Sequence, residues 1–239
     1  MYKRQGNSVY AAFADSARRW PDRDILQVLP DTASVYQMDP GNLSYGATLE
    51  QSDRLAECFV NAGYTAGMRV ALLLENRPVF FVCWLALNKI GISVVPLNPD
   101  LRLAELEYLT GHAEPALAIA IDPRIAELEQ AAHNAGLNMP VLSPDELADP
   151  HGTVRAGQVV LPSPRSSAVV AASSTVPSER EAAVLYTSGT TGNPKGCVLP
   201  NTYFLLAGKW YAELGGIADL HTDGERMLCL LYTSPSPRD

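Results

Sequence analysis

No Cys-x-x-Cys pair occurs in this chain; Cys58, Cys83, Cys197 and Cys229 stand far apart. A metal cluster or a dense disulfide scaffold needs closely spaced thiols, so this spacing argues against both and fits a reducing, cytoplasmic setting. Long apolar runs are missing too. The most apolar stretch, Val79 to Leu87, is broken by Asn88-Lys89 and falls short of the ~18 residues that a membrane span requires. No apolar segment follows Met1-Tyr-Lys-Arg-Gln5, so neither a secretory leader nor an anchor is predicted. Positive charge is scarce: 18 Lys and Arg face 26 Asp and Glu, a formal net charge of −8, which gives nucleic acid no electrostatic reason to bind. Histidine is rarer still. His112, His133, His151 and His221 each stand alone, with no His-Glu-x-x-His arrangement, which predicts surface or cap roles for them.

What remains is an ordinary globular balance, 47% apolar and 18% charged over 239 residues, enough for one large domain or two small ones. Apolar positions at helical spacing predict a helix from Ser8 to Trp20, closed by Pro21, and a second from the N-cap candidate Ser44 to Gly63. Met68 to Leu74 is a short apolar run of the kind buried on both faces of a sheet. The pattern then repeats. Pro78 opens an apolar helix from Val79 to about Asn88, ended by Gly91; Trp84, Phe80 and Phe81 on it are core candidates. Ile92 to Pro96 predicts a strand, Arg102 to His112 a helix, Ala116 to Ile121 a strand and Arg124 to Ala135 a helix. Ser143-Pro-Asp-Glu146 has the layout of a capping box. Strands alternating with helices predict an α/β fold, a parallel sheet covered on both faces.

Between Asp149 and Glu179 the chain is rich in Pro, Ser and Gly. Val159 to Leu161 and Val169 to Ala171 are expected there as short strands in a surface segment. Ala182 to Tyr186 predicts a further strand, Asn201 to about Leu214 a helix and Met227 to Leu231 a last strand.

The chemistry concentrates in Val184-Leu-Tyr-Thr-Ser-Gly-Thr-Thr-Gly-Asn-Pro-Lys-Gly-Cys-Val-Leu-Pro200. Gly189, Gly192 and Gly196 let a backbone turn its N–H groups toward a ligand. Thr187, Ser188, Thr190 and Thr191 add short hydroxyl donors, and Lys195 adds a mobile point charge. That set suits phosphate. It is not a Walker A loop, because Lys195 follows Pro194 and precedes Gly196-Cys197, without the Gly-Lys-Ser/Thr ending. A nucleophile elbow fails too, since Tyr186 stands where Gly-x-Ser-x-Gly needs glycine. The Gly-x-x-Gly spacing does not make a dinucleotide fingerprint either. Cys197 is a tempting nucleophile beside the loop, but a packing role is the expectation.

The full order Tyr186-Thr-Ser-Gly-Thr-Thr-Gly-Asn-Pro-Lys-Gly196 resembles the signature of the adenylate-forming, or AMP-binding, superfamily: acyl-CoA synthetases, aryl-CoA ligases, luciferases and peptide-synthetase adenylation domains. The likeness continues through Leu43-Ser-Tyr45, Gln51-Ser-Asp-Arg-Leu-Ala56, Gly67-Met-Arg-Val-Ala-Leu72, Glu75-Asn-Arg-Pro78 and Val95-Pro-Leu-Asn-Pro99. It covers nearly all of residues 8 to 231 and is similar to the first half of the family's large N-terminal domain, with layered parallel sheets covered by helices.

The resemblance implies an acid–thiol ligase of the acyl-CoA synthetase type, in the texture of carnitine or medium-to-long-chain fatty acid ligases. Such an enzyme takes ATP, with Mg2+, and a small carboxylic acid, makes an acyl-adenylate and pyrophosphate, and passes the acyl group to coenzyme A. It implies phosphate-binding roles for Thr187, Ser188, Gly189, Thr190, Thr191, Gly192, Lys195 and Gly196. A peptide-synthetase adenylation domain and a non-catalytic nucleotide-binding remnant are the alternatives. Residues 6–231 are expected to form an incomplete N-terminal domain, inactive alone, while 1–5 and 232–239 depart from the family pattern and are expected to be non-native.

Overall fold

A computed structural model describes residues 8–147, 159–164, 174–187, 193–216 and 225. Its first helix, α1 (Val9–Arg19), starts within a residue of the expected Ser8, whose side chain caps it by accepting from the Ala11 N–H. A small antiparallel pair follows, β1 (Asp24–Val28) and β2 (Gly41–Ser44), with the short helix α2 (Pro30–Tyr36) between them. Ser44 then caps α3 (Tyr45–Asn61), accepting from the Ala47 N–H.

The body is a six-stranded sheet. Strand β3 (Arg69–Leu73) leads into α4 (Pro78–Lys89), β4 (Ser93–Pro96) into α5 (Leu103–Ala113), and β5 (Leu117–Ala120) into α6 (Ile125–Asn134) and the two-residue β6 (Val141–Leu142). Strand β7 (Glu181–Thr187), β8 (Lys195–Pro200) and α7 (Asn201–Glu213) complete the described elements. The spatial order is β6-β5-β3-β4-β7-β8. Every pairing is parallel except the last, in which β8 turns back antiparallel along β7. The sheet is therefore mixed, and β8 is its edge among the described residues.

Side chains alternate across the pleat, so each strand feeds two cores. Val70, Leu72, Leu117, Ile119, Val94 and Ala183 pack with Leu55 and Phe59 of α3 and with Val82, Cys83 and Leu87 of α4. The neighbouring residues Ala71, Leu73, Ala118, Ala120, Val95 and Val184 pack with Leu106 and Leu109 of α5 and with Leu128 and Ala131 of α6. Burial on both faces explains why these strands are continuous apolar runs. Phe80 lies within the first core, and Phe81 and Trp84 pack against it.

Two devices fix the ends. At the amino-terminal end of the sheet, Arg69 grips Glu181 with both prongs, Nε–Oε1 at 2.7 Å and Nη2–Oε2 at 2.9 Å. This ties the start of β3 to the start of β7 across the intervening β4. Between α4 and β4, Gly91 sits at φ +78°, where a Cβ would come within 2.9 Å of the Ala66 Cβ, so only glycine fits that turn.

A buried amide network holds α1 and α7 to this body. The Asn201 Oδ1 accepts from the Val9 N–H and from Asn88 Nδ2, each at 2.9 Å. Its Nδ2 donates to the carbonyls of Pro177 and Arg180. Asn88 in turn accepts from the Tyr10 N–H. The first N–H groups of α1, which have no partner inside the helix, are thus satisfied from α4 and α7.

The expected strand at Val159 to Leu161 does not form. Leu161 instead drops into the first core, 8% exposed, and the next residue's carbonyl accepts from the Tyr64 hydroxyl at 3.0 Å. Burial there is achieved by single side chains plugging the core, which leaves no ladder to extend. The strands expected at Val169 to Ala171 and Met227 to Leu231 lie outside the described residues. The capping box at Ser143 forms as expected, with its serine bonded to the Asp145 N–H and Glu146 reaching back to the Ser143 N–H at 2.7 Å.

Candidate functional site

Strands β3, β4, β5 and β7 run the same way, so their carboxyl ends share one edge of the sheet. In open α/β sheets ligands bind outside that edge. Strand β7 ends there at Thr187, and β8 begins at Lys195, its partner in register. Directly paired residues on antiparallel strands project from the same face with Cβ atoms about 5 Å apart. A hydroxyl and an ammonium therefore stand side by side at the mouth of the connection, and both are exposed. Among the described residues, no carboxylate forms an ion pair with Lys195. Ser188, Gly189, Thr190, Thr191 and Gly192 lie outside the described residues.

Gly196 has a reason of its own to be glycine. It is a strand residue opposite Tyr186 and is absent from the positive-φ glycines. A Cβ there would meet the Tyr186 ring at 3.2 Å and Val184 Cγ1 at 3.1 Å. The requirement is room for the ring lying across β8, where the sequence suggested backbone freedom.

That ring belongs to a cluster the sequence did not single out. The Tyr186 hydroxyl and His112 Nδ1 are 2.7 Å apart. His112 stacks on Tyr108, one turn earlier on α5, with ring centroids 5.8 Å apart. The Tyr108 hydroxyl donates to the Pro194 carbonyl at 3.1 Å, immediately before Lys195. Burial, foremost, pushes the Tyr186 phenol up to about 12, so it stays protonated at neutral pH. His112 is exposed in the last turn of α5, as its isolation suggested, but it has a partner there in Tyr186. No short-range signal could have revealed this, since its partner is 74 residues away in the chain.

Cys197 also departs from expectation: it is exposed on β8 instead of packed. Cys83 is the packed thiol, fully buried, and burial drives it up to about 12 and out of reach of thiolate chemistry. No group of three or more His, Cys, Asp or Glu able to hold a metal occurs among the described residues. No helix of the described residues is long and apolar enough to cross a membrane.

Comparison with known proteins agrees with this architecture. The family of AMP-binding enzymes matches residues 13–234. The chain is 31% identical over 196 residues to a crotonobetaine/carnitine–CoA ligase of Salmonella paratyphi A, covering 79% of this chain and 37% of that protein. It is 30% identical over the same length to the enzyme of that name from Salmonella enteritidis. The chain thus spans well under half the length of these curated relatives. Among solved structures, VinN in complex with 3-methylaspartate superposes with a TM-score of 0.66 at 24% identity, over 87% of this chain and 52% of that one. ATP-bound MatB from Rhodopseudomonas palustris gives 0.60 at 24% identity, over 87% and 37%. The fold is shared with both, and the chain belongs to the AMP-binding enzyme family.

Proposed function

We infer that the chain supplies the phosphate-holding part of an enzyme that activates a carboxylic acid with ATP and then passes the acyl group to the thiol of coenzyme A. The observation that carries this reading is the Thr187–Lys195 pair at the carboxyl edge of the parallel sheet, flanking Ser188-Gly-Thr-Thr-Gly192. Membership of the AMP-binding family and the ligase names of the curated relatives support it.

In the proposed reaction a carboxylate oxygen attacks the α-phosphorus of ATP. The bond from that phosphorus to the bridging oxygen breaks, and its electron pair leaves with pyrophosphate. Negative charge grows on the departing group, so donors fixed around it stabilise the transition state more than bound ATP. Thr187, Ser188, Thr190 and Thr191 would supply hydroxyls, Gly189 and Gly192 close backbone approach, and Lys195 the counter-charge. Magnesium would arrive on the nucleotide phosphates; it holds such sites through one or two carboxylates and water, so a ready-made acidic cluster is not required. In the second step the thiol sulfur bonds to the acyl carbon and AMP departs.

Calorimetric titration of the chain with magnesium-ATP tests the reading. The wild type should bind, and Lys195→Ala should weaken binding about tenfold, the worth of a charged hydrogen bond. The Lys195 side chain is exposed, so its loss should leave the melting temperature unchanged. A wild-type chain that takes up no ATP would overturn the assignment.

A further inference from the structure

Tyr108, His112 and Tyr186 converge from two elements on the root of one connection, and nothing in the proposed chemistry uses them. Tyr108 and His112 lie one turn apart on α5, so they present a single surface to β7 and β8. That surface touches β7 and the residue just before β8. Tyr186, immediately before Thr187, meets His112 through its hydroxyl at 2.7 Å and through an edge-to-face ring contact with centroids 5.7 Å apart. Pro194, immediately before Lys195, is held by the Tyr108 hydroxyl at 3.1 Å. The same Tyr186 ring spreads over Gly196, immediately after Lys195, and closes the gap between the strands.

Register alone does not explain this. The β7–β8 ladder already aligns Thr187 with Lys195, yet this is the ladder's last pair, and β8 is an edge among the described residues, so fraying begins there. A carbonyl clamped just before Lys195 and a ring clamped just before Thr187 stop that fraying at the two positions that matter for an anion. We propose that Tyr108, His112 and Tyr186 are positioning residues of the phosphate site, holding Thr187 and Lys195 in place before the nucleotide arrives. The assignment rests on the ATP-binding reading above. It goes beyond it by giving α5 a part in the site through hydrogen bonds, without contact to the ligand. A donor already in place loses no conformational freedom when the phosphate docks, so affinity depends on the bracket even though the bracket touches no phosphate.

The test uses four variants of the chain, titrated with magnesium-ATP and followed by amide hydrogen exchange. Tyr108→Phe removes one hydroxyl, His112→Leu removes the imidazole partner, and Tyr186→Phe removes the phenol oxygen while keeping the ring over Gly196. His112→Asn keeps a polar atom near the Nδ1 position. The first three should weaken ATP binding about fivefold each, the scale of one net hydrogen bond, and should speed exchange at the Lys195 and Gly196 amides. His112→Asn should recover to within about twofold of wild type. If wild type binds ATP and the three variants bind equally well, the bracket has no positioning role and the proposal fails. Lower melting temperatures with unchanged affinity and unchanged exchange at Lys195 would also overturn it, by reducing the cluster to ordinary packing. A wild type that does not bind ATP at all sinks the functional reading itself, an outcome distinct from either.

Discussion

Replacing Thr187 or Thr190 by valine should slow ATP–pyrophosphate exchange by about 100-fold in a catalytically complete enzyme carrying this segment, the scale of losing one preset donor to a developing oxyanion. Valine keeps the shape and the β-branch, so backbone preference and packing change little. Thr187 is exposed at the end of β7, which removes burial as a confounding cost. The loss should fall on the turnover rate more than on the Michaelis constant for ATP, because the hydroxyl is worth most when charge has moved onto the departing pyrophosphate. The melting temperature of the Thr187 variant should stay within about 2 °C of wild type, as for surface substitutions generally. Exchange at near-normal rate would remove these hydroxyls from the chemistry.

Asn201→Ala should destabilise the fold by about 3 kcal/mol, which for a chain of this size lowers the melting temperature by roughly 6–12 °C. Asn201 is 2% exposed and its amide bonds four groups: the Val9 N–H, Asn88 Nδ2 and the carbonyls of Pro177 and Arg180. Truncation leaves buried donors and acceptors without partners, and each carries its own desolvation cost. It also frees the first turn of α1 from α7. Asn134→Ala provides the contrast, because that amide makes its bonds to Gln130 and Glu107 at the surface, where water replaces them. The control should cost no more than ~0.5 kcal/mol. Equal melting temperatures for the two variants would show that the Asn201 network contributes nothing net.

Elements whose cause is local were legible in the sequence. Ser44 caps α3 as predicted, because a short side-chain oxygen reaches the next turn's N–H, and Ser8 caps α1 in the same way. The strands β3, β4 and β5 are apolar on both faces, so a run of Val, Leu, Ile and Ala announces them without any partner in view. Elements whose cause is distant were not legible. Strand β8 has the exposed residues Lys195, Cys197 and Val198 and exists because β7 lies beside it. Strands β1 and β2 are a half-exposed pair joined across α2, with little apolar alternation to reveal them. Leu161 enters the core from a segment that looked like pure surface.

The site divides in the same way. Its proposed ligand-facing residues drew notice because hydroxyls, glycines and one lysine are contiguous in the sequence, a grouping that suits phosphate. The bracket behind it could not, because Tyr108 and Pro194 are 86 residues apart and meet only when α5 packs against the sheet. A tyrosine and a histidine at i and i+4 on a helix have many reasons to be there. Only the fold selects one.

The central claim is that the β7–β8 connection receives the phosphates of a nucleotide. Titrating pyrophosphate with magnesium into the isotopically labelled chain, while following backbone amide resonances, tests it without requiring turnover. The account predicts saturable shifts at Thr187, Lys195 and Gly196, with Arg69 and Glu181 at the opposite, amino-terminal end of the sheet unmoved. Saturable shifts centred elsewhere, or none at these three amides at millimolar pyrophosphate, would contradict it.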